Sequence, residues 1–442
     1  MEYQKGDKKI EGKTKIVWGI SGDNKNVIIE NKNDITAFDD PSFTKNFKTK
    51  AVHATTVTCR VFELLKRAGI PVAYVEQISP TEFVSPKCTM ISLEVVCRRF
   101  AVGSFLKRHP ELINENKERA PHRFHNLVVE FFLKTTKGEL FDNEEKLVLE
   151  GLDPKEGEED PFIKNPYGLD WELLHPKKPS WQEDSVLGRK VEAGRILGKK
   201  SEEMVIDIEK IMRKVFLTLE GAWNNLGYRI IDMKIELGID DEGNLMVADV
   251  IDNDSWRLRD ADWKELSKEA FRQGEELDEV EKKYGFVASL SNNFQTPKQA
   301  LVLWRGSNSD LFPEVEMFEG LQDVFIEKIT MSGHKSTQMC LDKLEEVLSK
   351  YPGGGVIVAK VGRSNGLGPI IAARTSWPVM AIPATMDSFS SDAWSSLRMP
   401  SKVPLATVWP ESNAILLAAE ILGQKNPVLY QRRQFLIEGQ DK

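Results

Sequence analysis

ALVLWRGSNSD (residues 300–310) begins as an apolar run and breaks into a glycine turn crowded with hydroxyls and one acid. The same figure recurs in DVFIEKITMSGHK (323–335), GGVIVAKVGRSNGLGP (354–369) and WPVMAIP (377–383), with CLDKLEEVLSK (340–350) between them at helical spacing. Strands that feed helices through Gly/Ser turns predict an α/β parallel-sheet, Rossmann-like domain, whose ligands gather at the carboxyl ends of the strands. The expected ligand loops are therefore GSNSD, SGHK and GRSNGLGP. The first offers Ser307, Ser309 and Asp310 on a turn able to cradle an anion with backbone N–H groups and hydroxyls. In the second, His334 can shuttle a proton near neutrality. The third packs three glycines, a serine, an asparagine and an arginine into eight positions (362–369), more backbone exposure than an ordinary turn requires.

Upstream the texture differs, and the change places a domain boundary near Asn293. A charged polar stretch precedes it, so the expected organisation is a first domain over 1–265, a linker over 266–293 and a second domain over 294–442. The first domain reads as α+β. KIVWGI (15–20), NVIIE (26–30) and VAYVEQI (72–78) predict strands, and residues 54–68 predict a helix with Val57, Val61, Leu64 and Leu65 on one stripe. The span 135–200, rich in Pro, Gly and acid, reads as surface excursions that carry a little local structure. A helix follows from Ser201, its expected cap, with Val205, Ile208, Ile211, Met212, Val215 and Leu219 in register. YRIIDMKIELGID (228–240), a DEGN turn and LMVADVIDND (245–254) then predict a hairpin whose alternate residues project into one cleft.

Composition bounds the chemistry. The 442 residues suit about three domains, or two large ones, at roughly 150 residues per domain, and 41% apolar with 29% charged residues predicts folding throughout. With 60 basic and 68 acidic side chains the net charge is −8, so no global field draws the protein to nucleic acid or an acidic membrane. Any anionic ligand must meet a local basic pocket. Cys59, Cys88, Cys97 and Cys340 are scattered without zinc spacing and read as reduced core thiols. No signal-like or membrane-length apolar stretch occurs in the sequence, so a soluble cytoplasmic protein is expected.

Three features of the first half point to chemistry. EGKTK places Lys13 and Lys15 two apart at the start of a strand, where alternation sends both to one face, as phosphate neutralisation needs. CRRFAVGSFLKR gathers Arg98, Arg99, Lys107 and Arg108 around Gly103 and Ser104, a set suited to phosphate or carboxylate. The hairpin supplies Asp232 and Glu236 with Lys234 between them, then Asp249, Asp252, Asp254 and Arg257. Facing carboxylates of this kind can hold Mg²⁺, which seldom takes more than two from the protein beside a nucleotide's phosphates. A solvated basic face and a salt-bridged hairpin are the plain alternatives. There is no GxxxxGK[ST] loop and no kinase signature, so an ATP-using enzyme of this kind would belong elsewhere.

In order along the chain, EGKTK, KNDITAFD, CRRFAVGSFLKR, DMKIELG and ADVIDNDSWRL resemble SAICAR synthetase, a purine-biosynthesis ligase. GSNSD, SGHK, GRSNGLGP and DAWSSLRMP resemble the AIR carboxylase class that uses carbon dioxide directly, although Gly333 stands where that motif usually has alanine. The order is that of the bifunctional animal enzymes. The resemblance implies an ATP-grasp-like first domain in which ATP phosphorylates the carboxylate of CAIR (carboxylated AIR) and the amine of L-aspartate captures the acyl phosphate. It also implies ATP phosphates on Lys13 and Lys15, adenine beside Met90 to Glu94, and Mg²⁺ on Glu236 and Asp249. Asp34, Asp232 and Lys234 would line the reaction centre, and Arg98, Ser104, Arg257 and Arg272 would grip CAIR. In the second domain Ser307, Asp310, Arg363 and Ser364 would hold the ribose phosphate of AIR, His334 would move the proton, and Lys335 matches the carbon-dioxide-using form of the motif. No cofactor would be needed there, and the carboxylase domain would build a homo-octamer. Two alternatives stand beside this: a synthetase whose second domain serves mainly for assembly, and a non-catalytic purine-nucleotide sensor or scaffold.

Overall fold

The computed structural model describes residues 3–36, 44–46, 49–114, 120–142, 145–272 and 275–439. The chain divides into two compact units, one ending at Phe294 and one beginning at Gln295.

The first unit is α+β and wholly antiparallel in its sheets. A five-stranded sheet runs in the order Lys5–Glu11, Lys15–Ile20, Asp23–Asn31, Glu82–Pro86, Glu76–Ser79. A larger sheet is built around Cys88–Phe100, flanked by Arg123–Leu133 and Arg229–Asp240, and the hairpin continues into Leu245–Ala248. On Arg229–Asp240 the residues Ile231, Met233, Ile235 and Leu237 are buried, and the helix Ser201–Asn225 packs on this strand. That helix has Val205, Ile208, Met212, Val215 and Leu219 buried, a stripe at the expected period. Ser201 is its first residue and Lys200 the N-cap, with no side-chain cap hydrogen bond, so the expected Ser201 cap is not made.

Two stretches differ from expectation. The 135–200 span is not peripheral: Phe162–Ile163, Asp170–Leu174 and Val186–Glu192 extend the larger sheet, and Trp171, Leu173 and Leu174 are buried. Strands of two to seven residues between Pro/Gly turns are too short for periodicity to register. The 266–293 span is no free linker either. Leu277–Ser291 is a helix with Val280, Tyr284, Val287 and Ala288 buried, and it packs on the helix Lys50–Arg67. Glu281 accepts from the Thr49 N–H at 3.0 Å and its hydroxyl at 2.7 Å, closing the N-terminus of Lys50–Arg67, where negative charge is favoured. Phe294 then packs edge-on against the buried Trp223.

The second unit carries a five-stranded, all-parallel sheet in the order Val324–Thr330, Gln299–Arg305, Gly355–Val361, Val379–Pro383, Ala406–Thr407. Both faces are covered, one by Cys340, Leu344, Val347 and Ile371, the other by Ala414, Ile415, Ala418 and Leu422. This explains why the central strands read as mostly apolar runs and not as alternation, while the edge strand Val324–Thr330 keeps Glu327 and Lys328. The four cysteines are free thiols, three buried and Cys88 half-buried.

Candidate active sites

In the first unit, register builds the site. Asp232, Lys234 and Glu236 share one face of their strand, and Arg98, Val96 and Glu94 lie opposite them on Cys88–Phe100. Arg257 pairs with Asp232 from the other side. Arg98 Nε donates to Glu130 Oε2 at 2.6 Å, Nη1 donates to Asp232, and Nη2 donates to Ser104 Oγ at 3.3 Å. Arg257 Nη1 donates to the same Asp232 oxygen at 2.6 Å, and Asp232 raises the affinity of this guanidinium for its proton. Gly103, at φ +60°, makes room: a Cβ there would sit 2.5 Å from Arg257 Nη2. The outcome is two guanidinium groups and a hydroxyl converging beside a carboxylate, the donor set that carboxylate and phosphate ligands use.

A second group lies at the hairpin edge. Glu236 pairs across the ladder with Ala248, so Asp249 stands one residue past the strand end, at φ +64°. Aspartate tolerates that left-handed backbone better than most residues, and its Oδ1 accepts the Val250 N–H at 2.7 Å. Lys15 pairs with Asp249, Lys134 pairs with Glu236, and Lys234 meets Glu94 at 2.5 Å. Burial works against the charge of Glu236, but Lys134, Lys15 and Lys234 hold its carboxyl below the ordinary glutamate value. Burial pushes the Lys15 ammonium down to about 8, opposed by Glu236 and aided by Lys134; its direct pairing with Asp249 also favours the charged form. Among the described residues no three His, Cys, Asp or Glu side chains converge as a metal cluster. Two carboxylates, Glu236 and Asp249, beside Lys15 are nevertheless the number Mg²⁺ accepts when phosphates supply the remaining ligands, so the donor set fits that ion.

Beneath these lies a buried charge group. Lys50 Nζ donates to Asp254 Oδ2 and to the Asp34 carbonyl, both at 2.9 Å. Lys268 approaches Asp254 at 3.5 Å, and the Tyr284 hydroxyl donates to its other oxygen. Burial disfavours the charge of Asp254, yet the two lysines and Tyr284 hold it ionised; burial and Asp254 itself push the neighbouring Asp252 up. Asp34 is thus tied to the hairpin acids through Lys50. Lys13 lies in the turn between Lys5–Glu11 and Lys15–Ile20 and not on a strand, so alternation does not aim it with Lys15. Met90 pairs opposite Gly238, further along the same ladder. Arg272 ends the helix Glu269–Arg272, and its side chain lies outside the described residues. Sequence reasoning missed Lys50, Glu130, Lys134, Lys268 and Tyr284; only Glu130, a lone acid in the apolar run LVVEFFL, carries a signal that could have found it.

In the second unit the GSNSD, SGHK and GRSNGLGP loops leave the same end of the parallel sheet, from Arg305, Thr330 and Val361. SGHK and GRSNGLGP are in direct contact. A Cβ at Gly366 would fall 2.3 to 2.6 Å from the His334 ring, and one at Gly333 would fall 2.7 Å from Leu367 Cα. His334, Lys335, Ser307, Arg363 and Ser364 are exposed, and Asp310 is half-buried. Arg305 braces the first loop, donating to the Asp310 carbonyl at 2.6 Å and to Asn308 at 3.2 Å. Asn365 braces the third, accepting the Gly368 N–H at 2.8 Å and donating to Ser396 Oγ at 3.0 Å.

Two polar clusters of such different construction, one in each unit, point to a two-part enzyme. The family model for SAICAR synthetase matches residues 8–156 and 177–288, and that for AIR carboxylase matches 300–440. A probable multifunctional protein ADE2 of Caenorhabditis elegans is 34% identical, over 95% of this chain and 90% of its own. The bifunctional phosphoribosylaminoimidazole carboxylase/phosphoribosylaminoimidazole succinocarboxamide synthetase of Homo sapiens is 30% identical, over 97% of this chain and 92% of its own. A solved phosphoribosylaminoimidazole-succinocarboxamide synthase from Ehrlichia chaffeensis is 23% identical, with a TM-score of 0.47, over 65% of this chain and 98% of its own. The chain belongs to the family of bifunctional AIR carboxylase/SAICAR synthetases of purine biosynthesis, a membership that favours neither the assembly-only nor the sensor alternative.

Proposed function

We propose that the first unit makes SAICAR by the acyl-phosphate route, with ATP phosphates on Lys13 and Lys15, adenine along Met90 to Glu94, and CAIR on Arg98, Ser104, Arg257 and Arg272. The observation that supports this reading is the shared strand face of Asp232, Lys234 and Glu236, along which buried Asp232 with its two arginines gives way to Lys234 and Glu236, so that carboxylate and triphosphate can be served side by side. A CAIR carboxylate oxygen attacks the γ-phosphorus, ADP leaves, and the aspartate amine then attacks the acyl carbon and expels phosphate. Arg98 and Arg257 orient the carboxylate, Lys234 offsets charge that develops on the transferred group, and Asp34 and Asp232 line the centre where the amine sheds its proton. Bound with the nucleotide on Glu236 and Asp249, Mg²⁺ would supply further neutralisation of the phosphates.

In the second unit the ring carbon of AIR attacks carbon dioxide and gives up its proton, which His334 accepts and passes on. Ser307, Asp310, Arg363 and Ser364 hold the ribose phosphate, and Lys335 stands beside His334. This unit works without a cofactor and builds a homo-octamer, and the protein acts in the cytoplasm on small molecules, with no nucleic acid or membrane partner. Among the described residues no helix is long and apolar enough to cross a membrane.

The test exploits reversibility. CAIR absorbance is followed without ATP or aspartate for the wild type, His334→Ala and buffer. Decay faster than buffer that vanishes in the variant supports a working second site; decay no faster than buffer overturns it.

A further inference from the structure

We propose that Glu130 is a positioning residue for substrate recognition in the synthetase unit: with Arg108 it forms a buried chain, Arg98–Glu130–Arg108, that sets the angle of the Arg98 guanidinium from beneath. The proposal rests on the reading that Arg98 grips CAIR.

The three charged groups do different work. Arg98 spends each of its nitrogens on a separate partner, with Nε on Glu130, Nη1 on Asp232 and Nη2 on Ser104. A guanidinium held only by a carboxylate prefers a bidentate fork. Were Glu130 absent, Arg98 would be free to turn both donors onto Asp232 and withdraw Nη2 from the Ser104 side. Glu130 prevents this because it fixes Nε at 2.6 Å and so fixes the plane of the fork.

Glu130 in turn is too deeply buried to meet a ligand, and it needs a second cation. Burial works against its charge, while Arg98 and Arg108 hold its carboxyl below the ordinary glutamate value. Arg108, also buried, gives Nη2 to the second Glu130 oxygen and Nη1 to the Pro176 carbonyl. Its guanidinium sits over the rings of Phe162 at 5.0 Å and Phe132 at 5.4 Å, stacking that lysine reproduces poorly. Arg108 therefore does not belong to the ligand-gripping set that the CRRFAVGSFLKR run suggested. It is the far anchor, and through Pro176 it brings the 135–200 span into the definition of the substrate site.

The experiment is SAICAR synthesis by the full chain, with CAIR and ATP varied separately, for Glu130→Gln, Arg98→Lys and the double variant. The expected result is a tenfold or larger rise in KM for CAIR in Glu130→Gln with KM for ATP within twofold, and a double variant no worse than Arg98→Lys alone, because Glu130 acts through Arg98. CAIR decay by the second unit serves as an internal control and should be unchanged. A rise in Arg98→Lys with no rise in Glu130→Gln overturns the proposal and leaves the Arg98 reading intact. No rise in Arg98→Lys removes that reading and the proposal with it. Equal rises for CAIR and ATP, or effects that multiply in the double variant, reduce Glu130 to a structural ion pair. Should Glu130→Gln not fold, Glu130→Asp, charged but too short to span both guanidiniums, gives the same readout: an unchanged KM for CAIR overturns the proposal.

Discussion

The first unit gathers its charged side chains on the face of an antiparallel sheet, and the second sets its candidate loops at the ends of parallel strands. On a sheet face every second residue points the same way, so the donors are side chains, and their charge must be managed by neighbours in the ladder: Asp232 by Arg98 and Arg257, Glu236 by Lys134, Glu94 by Lys234. At strand ends the donors can be main-chain groups, and the packing that matters is between loops, as where Gly366 lies against His334. The first design keeps ionised groups close together, some of them buried, and depends on pairing. The second leaves Lys335 and Arg363 exposed on its loops and depends on glycines for the close approach of one loop to another.

This contrast can be broken in graded steps. The largest effect should come from Glu236→Ala, which removes one of the two carboxylates proposed to hold Mg²⁺: SAICAR formation from CAIR should fall by about 10³-fold, with CAIR decay unaffected. Equal loss of both activities would show that the units do not work independently. Next, Gly366→Ala pushes a methyl group into the His334 ring and should cost about 100-fold in CAIR decay with SAICAR synthesis intact; a normal rate would mean that His334 needs no fixed position. Gly103→Ala, directed at Arg257 and at a positive φ, should raise KM for CAIR by roughly tenfold, about 1.4 kcal/mol, and leave KM for ATP alone.

The smallest effect is on acid stability. Glu130 is held below its ordinary value by two guanidiniums, so its contribution is fully present above the unfolded value of about 4.3 and is lost as pH falls through the lower folded value. The stability gap between wild type and Glu130→Gln, measured by urea unfolding, should therefore be constant near neutrality and shrink below about pH 4. A gap that widens on acidification would contradict the assignment.

What the sequence made legible follows the same division. The central parallel strands and the three loops could be read directly, because strands buried on both faces are mostly apolar and glycine turns mark their ends. In the first unit the residues that contact one another through the ladder were legible in type but not in pairing: Asp232, Arg98 and Arg257 stand out as charges, whereas the register that joins them is a property of three strands far apart in the chain. Lys134 and Lys268 look like any surface lysine in sequence, and only the fold carries them to Glu236 and Asp254. The helix Leu277–Ser291 was hidden because charged residues surround the spacing of Val280, Tyr284 and Val287.

That helix has a bearing on how the gene could be divided. A synthetase fragment cut at residue 265 would lose the Glu281 cap of Thr49, the Tyr284 hydroxyl on Asp254 and the Phe294 ring on Trp223. The severed piece would uncover the side of Lys50–Arg67 on which Leu277–Ser291 packs and leave Asp254 without its Tyr284 donor. A separable first half has to extend through Phe294, so the segment that joins the two enzymes along the chain is, for most of its length, already a working part of one of them.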